Sequence, residues 1–302
     1  MRVKDLKEVS IKSKNFGLPQ LKDAKMLTKD KIIGIFCFID DLLKTSNHYE
    51  DSRRQVSDSE VITTAVISSL YFGGHQDKAR QFMKMTGMIP GMLDKSRFNR
   101  RLHAVAELIY SLFMQIGYYF KYISCEMSYV LDSFPVAICD NIRIINAKIL
   151  KGKQWHGKQT SMRRYFYGVK VQLLVTKDGI PVEFGFVPGS EHDAQALKKL
   201  PMELPAESEV FADSAYTNYE IEDLLMENDQ IALKVHRKSN AKRKDSASAA
   251  FIKEYMRKRV ETTISEIKGL FLRKLHAVTF KGWLLKITLF IFAFTLNKLI
   301  PN

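Results

Sequence analysis

The sequence predicts an α/β protein in which an all-helical N-terminal part precedes a mixed sheet flanked by helices. Apolar residues recur at helical spacing between residue 27 and about residue 124, and from Met127 the pattern changes to β-rich runs separated by turn residues. A third observation is the order that follows, three early strands and then alternating helix and strand, as in a sheet with helical cover. With 302 residues and 46% hydrophobic content, the chain is long enough for one large domain or two ordinary ones around a sizeable core.

In the helical part, "KIIGIFCFIDDLL", "VITTAVISSLYF" and "AVAELIYSLFMQIGYYF" each carry an apolar stripe. Ser57 and Glu60 in "SDSE" form the capping-box pattern that starts the second. Between the last two, "KSRFNRRLHAV" sets Arg97, Arg100 and Arg101 at a helix start. These three fit the DNA-reading helix of a helix-turn-helix module and equally fit a solvated basic face.

"MSYVLDSFPV" reads as the first strand, with Asp132 at its centre. "YFYGVKVQLLVT" and "PVEFGFVPG" are two further strands joined by a turn at Lys177-Asp178-Gly179. Then come a helical segment near "SEHDAQALKKL", the strand "EVFAD", the helix "NYEIEDLLME", the strand "IALKV" and a long helix from roughly Ala249 to Leu272. "HRKSNAKRKDSASAA" reads as a mobile loop. The C-terminal run "WLLKITLFIFAFTLNKLI" is interrupted by Lys286 and Asn297, which leaves less than the roughly 18 apolar residues of a membrane span. It reads as a buried helix.

Cys37, Cys125 and Cys139 show no CxxC spacing and read as reduced core residues of a cytosolic protein, and "MRVKDLKEVSIKSKN" lacks the apolar run of a secretory signal. The net charge of +14 points to a polyanionic partner, nucleic acid or an anionic membrane surface. The charge is also blocked: residues 143–170 hold eight Lys or Arg and no acid, and residues 234–259 hold ten against two acids. Residues 201–233 hold nine acids and no base, so basic segments flank an acidic one, as cleavage of a phosphate backbone beside metal-binding carboxylates requires.

Three carboxylates stand out. Asp132 lies inside an apolar strand that continues into Phe134 and Val136, where an unpaired charge is costly. A metal or a cation should accompany it, the bland alternative being a strand-end Asp starting a turn before Pro135. Asp213 ends the strand "EVFAD", where open α/β sheets place ligands, and Thr217 with Glu220 supplies a cap for the next helix, which frees Asp213 for chemistry. At about 100° per residue, Val260, Ile264, Ile267, Phe271 and Leu275 make one stripe with Glu261 on its border, while Glu266 falls about 140° away as an ordinary solvated residue. Arg257, Ser265 and Lys268 share the face of Glu261, although Arg257 and Glu261 could equally be a surface pair. Oxygen ligands from a first strand, a later strand end and a late helix suit two hard divalent cations, which activate water or a 3′ hydroxyl and stabilise the leaving oxygen of a phosphodiester.

The blocks "LDSFPVAICDNIRI", "RRYFYGVKVQLLVTKDGIPVEF", "PGSEHDAQAL", "FADSAYTNYEIEDLL", "RKRVETTISEIKGL" and "LHAVTFKGWLLKI" together resemble a DDE transposase of a bacterial insertion sequence, and within that group the insertion sequence 982 family. The resemblance covers nearly all of the chain from Met127 and, less sharply, the helical part. It implies a ribonuclease-H-like catalytic domain over 125–302, with C-terminal helices, preceded by a helical DNA-end-binding domain over 1–124. Asp132, Asp213 and Glu261 would be its catalytic and metal-binding triad, served by two Mg²⁺ or Mn²⁺ ions. Related transposases carry an Arg-x3-Glu-x6-Lys pattern, matched by Arg257, Glu261 and Lys268. They usually have a Tyr three before the Arg, where this chain has Glu254, with Tyr255 beside it. The 48-residue step from Asp213 to Glu261 leaves no room for a large inserted domain.

The implied DNA contacts are Arg257 and Lys268 near the cleaved strand, Lys258 and Arg259 on the same helix, Arg163, Arg164 and Lys170 along the backbone track, and Arg97, Arg100 and Arg101 in the helical part. His192 and Asp193 fall in a family block, where Asp193 also suits a helix N-terminus; His156 and His236 read as exposed. The implied activity is cleavage at the ends of the element and strand transfer into target DNA, by a dimer in the bacterial cytoplasm at the nucleoid, with terminal inverted repeats and target duplex as partners and no membrane. Its alternatives are a nuclease of the same fold, a non-catalytic DNA-binding copy, and a membrane-associated protein.

Overall fold

The structure is a computed structural model that describes residues 27–124, 126–139, 141–159, 163–271 and 275–300. Cys125 and the segment "MRVKDLKEVSIKSKN" lie outside the described residues. The helical part comprises α1 (Lys29–Thr45), α2 (Asp58–Tyr71), α3 (Gln76–Met85), α4 (Lys95–Ala104) and α5 (Ala106–Tyr118), which ends in a π turn over Tyr119–Ile123. The capping box of α2 forms as predicted: Ser57 Oγ accepts from Glu60 N at 3.1 Å, and Glu60 Oε2 accepts from Ser57 N at 2.8 Å. Because α2 is buried nearly all round, it forms the centre of this layer.

The C-terminal helix α9 (Phe280–Leu299) packs on α2 and also meets α5 and the long helix α8 (Ala247–Leu270). It is long and apolar enough to cross a membrane, yet 67% of its apolar stretch is buried inside the protein, including Trp283, Ile287, Phe290, Ile291 and Phe292. The helices and one face of the sheet therefore share a continuous apolar core.

Among the described residues six strands make the sheet: β1 (Ser128–Cys139), β2 (His156–Gln159), β3 (Arg164–Thr176), β4 (Pro181–Pro188), β5 (Glu209–Ala212) and β6 (Ala232–Val235). β3 pairs antiparallel with β1 on one side, and with β2 and then β4 on the other; β5 runs parallel to β1, and β6 parallel to β5. Four strands paired antiparallel, β1 to β4, continued by the two parallel strands β5 and β6, flanked by helices and preceded by a helical region, form the ribonuclease-H-like arrangement.

Alternation along β1 divides the side chains between two cores. Val130, Phe134 and Val136 face the helical side together with Val260, Ile264 and Ile267 of α8 (Ala247–Leu270), while Tyr129 and Leu131 face the opposite side with Leu197, Tyr216 and Leu233. A helix lying across β1 and β5 thus covers the even-numbered residues of β1. The β3–β4 turn fixes its position: Thr263 Oγ1 donates to the Gly179 carbonyl at 3.1 Å, and Gly179 takes φ +81°, a conformation that favours glycine.

Several expectations need correction. Cys37 is exposed, because it lies off the Ile32, Ile35, Ile39 and Leu43 stripe of α1; Cys139 is half-buried. The segment after "SEHD" is only the four-residue α6 (Asp193–Ala196) and a 3-10 turn. α7 (Tyr219–Asp229) is capped by Asn218, which accepts from Ile221 N, whereas the Thr217 hydroxyl donates to the Ser214 carbonyl. The loop "HRKSNAKRKD" is held by contacts: Arg237 binds Glu222, Arg243 binds Asp223 in a fork of two 2.7 Å bonds, and both guanidinium groups lie about 5 Å from the centre of the Tyr219 ring. His156 is exposed, as predicted, but His236 is only half-exposed.

Candidate active site

Register brings the first two acids together. Leu131 pairs with Ala212 across the parallel β1–β5 ladder, so Asp132 and Asp213 occupy the next position on strands about 4.8 Å apart. Both have the parity of the α8-facing residues, Val130 and Phe134 on β1 and Phe211 on β5. β5 ends at Ala212, so the pair lies where β5 turns away from β1 and opens the sheet edge.

Each carboxylate accepts a hydrogen bond from the next backbone N–H: Asp132 Oδ1 from Ser133 and Asp213 Oδ1 from Ser214, both at 2.7 Å. Asp213 therefore also caps the short 3-10 turn Ser214–Tyr216, a structural role that the sequence reading did not give it. Burial pushes the Asp132 carboxyl up to about 7; the Ser133 N–H opposes this, and the charges of Asp213, Asp193 and Glu261 add to it. Four carboxylates thus act on one electrostatic neighbourhood.

Glu261 comes from α8. Arg257, one turn earlier, spans the gap, with Nη1 2.9 Å from Asp213 Oδ1 and Nη2 2.9 Å from Glu261 Oε1. Desolvation lowers the Arg257 pKa, but the charges of Asp213 and Glu261 outweigh it and hold the group above its ordinary value. Lys268 is the second cation. Half-buried, it lies 5.3 Å from the centre of the Phe134 ring, and burial lowers its pKa against the pull of Asp132. Glu266 points elsewhere and pairs with Lys298 of α9 at 2.9 Å.

Three hard oxygen donors from three elements fit the chemistry of Mg²⁺ or Mn²⁺. Among the described residues, no group of three His, Cys, Asp or Glu is placed to hold a metal ion as it stands; Arg257 binds two of the three carboxylates.

The basic candidates separate into two groups. Arg163, Arg164, Lys258, Arg259, Arg97 and Arg100 are exposed, Arg97 pairing with Asp94 at 3.3 Å and Lys258 with Glu254 at 3.5 Å. Tyr255 is exposed as well. Two candidates are engaged inside the protein. Arg101 is half-buried, bonded to Asp58 at 2.5 Å and Glu50 at 3.0 Å, and the ammonium of Lys170 donates to the Glu191 carbonyl at 2.7 Å and to Asp193 at 3.3 Å. The nine residues between α3 and α4 also exceed the three- or four-residue turn of a compact helix-turn-helix.

The sequence reading missed a polar network under Asp132. Asp193 Oδ1 accepts from Ser133 Oγ at 2.8 Å and Gln172 Nε2 at 3.2 Å, and Tyr216 OH donates to Gln172 Oε1. Its signal was available: a Gln inside the apolar run "VQLLV" must find partners if the strand is buried.

A family model described as a transposase DDE domain matches residues 123–276, from the π turn after α5 to beyond α8. The chain belongs to the transposase DDE-domain family. The matched part of the transposase contains β1, β5 and α8, hence all three acids. Among solved structures, the piggyBac transposase synaptic complex with hairpin DNA, determined by cryo-EM, is similar at 12% identity and a TM-score of 0.45, over 89% of this chain and 72% of that one. No curated protein matches the transposase sequence.

Proposed function

We propose that the chain is an active insertion-sequence transposase, of the insertion sequence 982 family and of bacterial origin, that cleaves the ends of its element and joins them to target DNA. The observation that carries this reading is the placement of Asp132, Asp213 and Glu261: two acids just beyond the last register pair of neighbouring parallel strands, and the third on the helix across them, bonded to Asp213 through Arg257.

In this reading the three carboxylates hold two Mg²⁺ or Mn²⁺ ions, which when bound supply an activated oxygen nucleophile and neutralise charge on the scissile phosphate. The chain's own residues do the rest. Arg257 and Lys268, set beside the acids, balance their charge and meet the phosphates of the cleaved strand. Lys258, Arg259, Arg163 and Arg164 extend the cationic track, and the exposed Arg97 and Arg100 of α4 belong to a DNA-end-binding region within residues 1–124. Residues 125–302 form the catalytic domain. Two copies pair the two terminal inverted repeats, and the protein works on the nucleoid in the cytoplasm.

The test uses end-labelled duplex carrying the DNA that flanks the gene, incubated with the full chain and Mg²⁺. Nicking at the element boundary followed by joining to a target plasmid supports the reading. Nicking without joining favours a nuclease of the same fold, and neither product, with DNA binding retained, favours a non-catalytic binder.

A further inference from the structure

Resting on that reading of the acid site, we infer that Asp193 is a positioning residue, the hub of a buried hydrogen-bond network that fixes the relative placement of Asp132 and Asp213 from the face of the sheet opposite α8. Ser133 has the opposite parity to Asp132, so its hydroxyl points to the side lined by Tyr129 and Leu131. Directly across the antiparallel ladder lies Gln172, and two residues along β3 lies Lys170, on the same face. All three reach one oxygen of Asp193: Ser133 Oγ at 2.8 Å, Gln172 Nε2 at 3.2 Å and Lys170 Nζ at 3.3 Å.

The network reaches the second acid through Gln172, whose Oε1 accepts from the hydroxyl of Tyr216. Tyr216 ends the 3-10 turn that Asp213 caps, and its backbone N–H donates to the Asp213 carbonyl at 3.0 Å. Tyr216 and Gln172 are fully buried, and Asp193 is 17% exposed, so water competes poorly for these bonds. Asp193 thus ties the residue after Asp132 to the turn after Asp213 while touching neither carboxylate. The four-residue α6 and the single-oxygen convergence of three donors argue against simple helix capping as its role: its carboxylate is spent on the sheet.

Removing a group bonded directly to a metal ligand typically changes metal affinity 10- to 100-fold, and Asp193, which acts through the backbone of Ser133 and the turn after Asp213, is expected at the lower end of that range. The test measures Mn²⁺ binding to the full chain by electron paramagnetic resonance of free Mn²⁺, with DNA-end binding in chelator and thermal unfolding measured on the same samples. Asp193→Ala is expected to weaken Mn²⁺ about tenfold or more while end binding stays within about twofold. Asp193→Asn, which keeps an acceptor for Ser133, is expected to recover part of that loss, and Tyr216→Phe, which cuts only the branch to Asp213, to show a smaller loss of the same kind. Wild-type Mn²⁺ affinity in Asp193→Ala would overturn the inference, as would Mn²⁺ and DNA affinity falling in parallel with the melting temperature. If Asp193→Ala does not fold, the other two variants decide, and unchanged Mn²⁺ affinity in both overturns it. Absence of Mn²⁺ binding by the wild-type chain would instead remove the metal-site reading, and this inference with it.

Discussion

Arg257 and Asp213, 44 residues apart in sequence, meet at 2.9 Å, and the same guanidinium holds Glu261 at an equal distance. One side chain therefore links the strand-end acid to the helix acid. The sequence reading offered Arg257–Glu261 as a possible surface pair; the added bond to Asp213 gives Arg257 a place in the site.

Arg257→Ala should lower strand cleavage by about 10- to 100-fold, the worth of one or two charge-assisted hydrogen bonds. Because the pair is about one-third exposed, its loss should cost the fold no more than about 1 kcal/mol in urea unfolding. The slope of end-binding affinity against salt should fall by about one unit if Arg257 meets a phosphate. An unchanged slope with full cleavage would show Arg257 to be a surface ion pair after all.

Glu266→Gln serves as the control on the same helix. Among the described residues it pairs with the exposed Lys298. Cleavage should stay within about twofold of wild type and stability within about 0.5 kcal/mol.

Gly179→Ala should destabilise the protein by about 1–3 kcal/mol, read as a shift of the urea midpoint. The backbone there has φ +81°, and an added Cβ would lie 2.6 Å from Thr263 Oγ1, the group that pins α8 to the β3–β4 turn. Activity should fall at temperatures well below the unfolding transition if the placement of α8 sets the position of Glu261.

Asp58 predicts an acid limb of stability. Burial pushes its carboxyl up, but hydrogen bonds from His48 and Arg101 and the charges of Arg101 and Arg54 outweigh it and hold the pKa below its ordinary value. The unfolded chain therefore binds this proton more tightly than the folded one, so the stabilisation is fully present above about pH 4 and is lost as pH falls through the lower folded pKa. Urea midpoints between about pH 2 and 7 should show this loss. Asp58→Asn should flatten that limb and cost about 1–3 kcal/mol at neutral pH, since the half-buried Arg101 loses one charged partner and keeps Glu50.

Much of the sheet was legible, and the three acids were singled out, because their signals are local. β-rich runs bounded by turn residues located β1, β3 and β4, and the strand-end position of Asp213 and the angular position of Glu261 follow from spacing alone. What escaped depends on partners far away in the chain. The four-residue β2 exists by pairing with β3, and α3 buries only Ala79 and Met83, too few to show a stripe. Lys170 and Arg101 looked like surface cations because Asp193 and Asp58, which hold them, lie 23 and 43 residues away. Asn218 rather than Thr217 caps α7 because the Thr217 hydroxyl is used by the preceding turn, which sequence spacing does not reveal.

The most direct test of the central claim is Mg²⁺-dependent cleavage of labelled element-end DNA by Asp132→Asn, Asp213→Asn and Glu261→Gln, with end binding measured in parallel. All three should lose cleavage while binding DNA ends about as tightly as the wild-type chain. Wild-type cleavage by any one of them would contradict the account and remove that residue from the site.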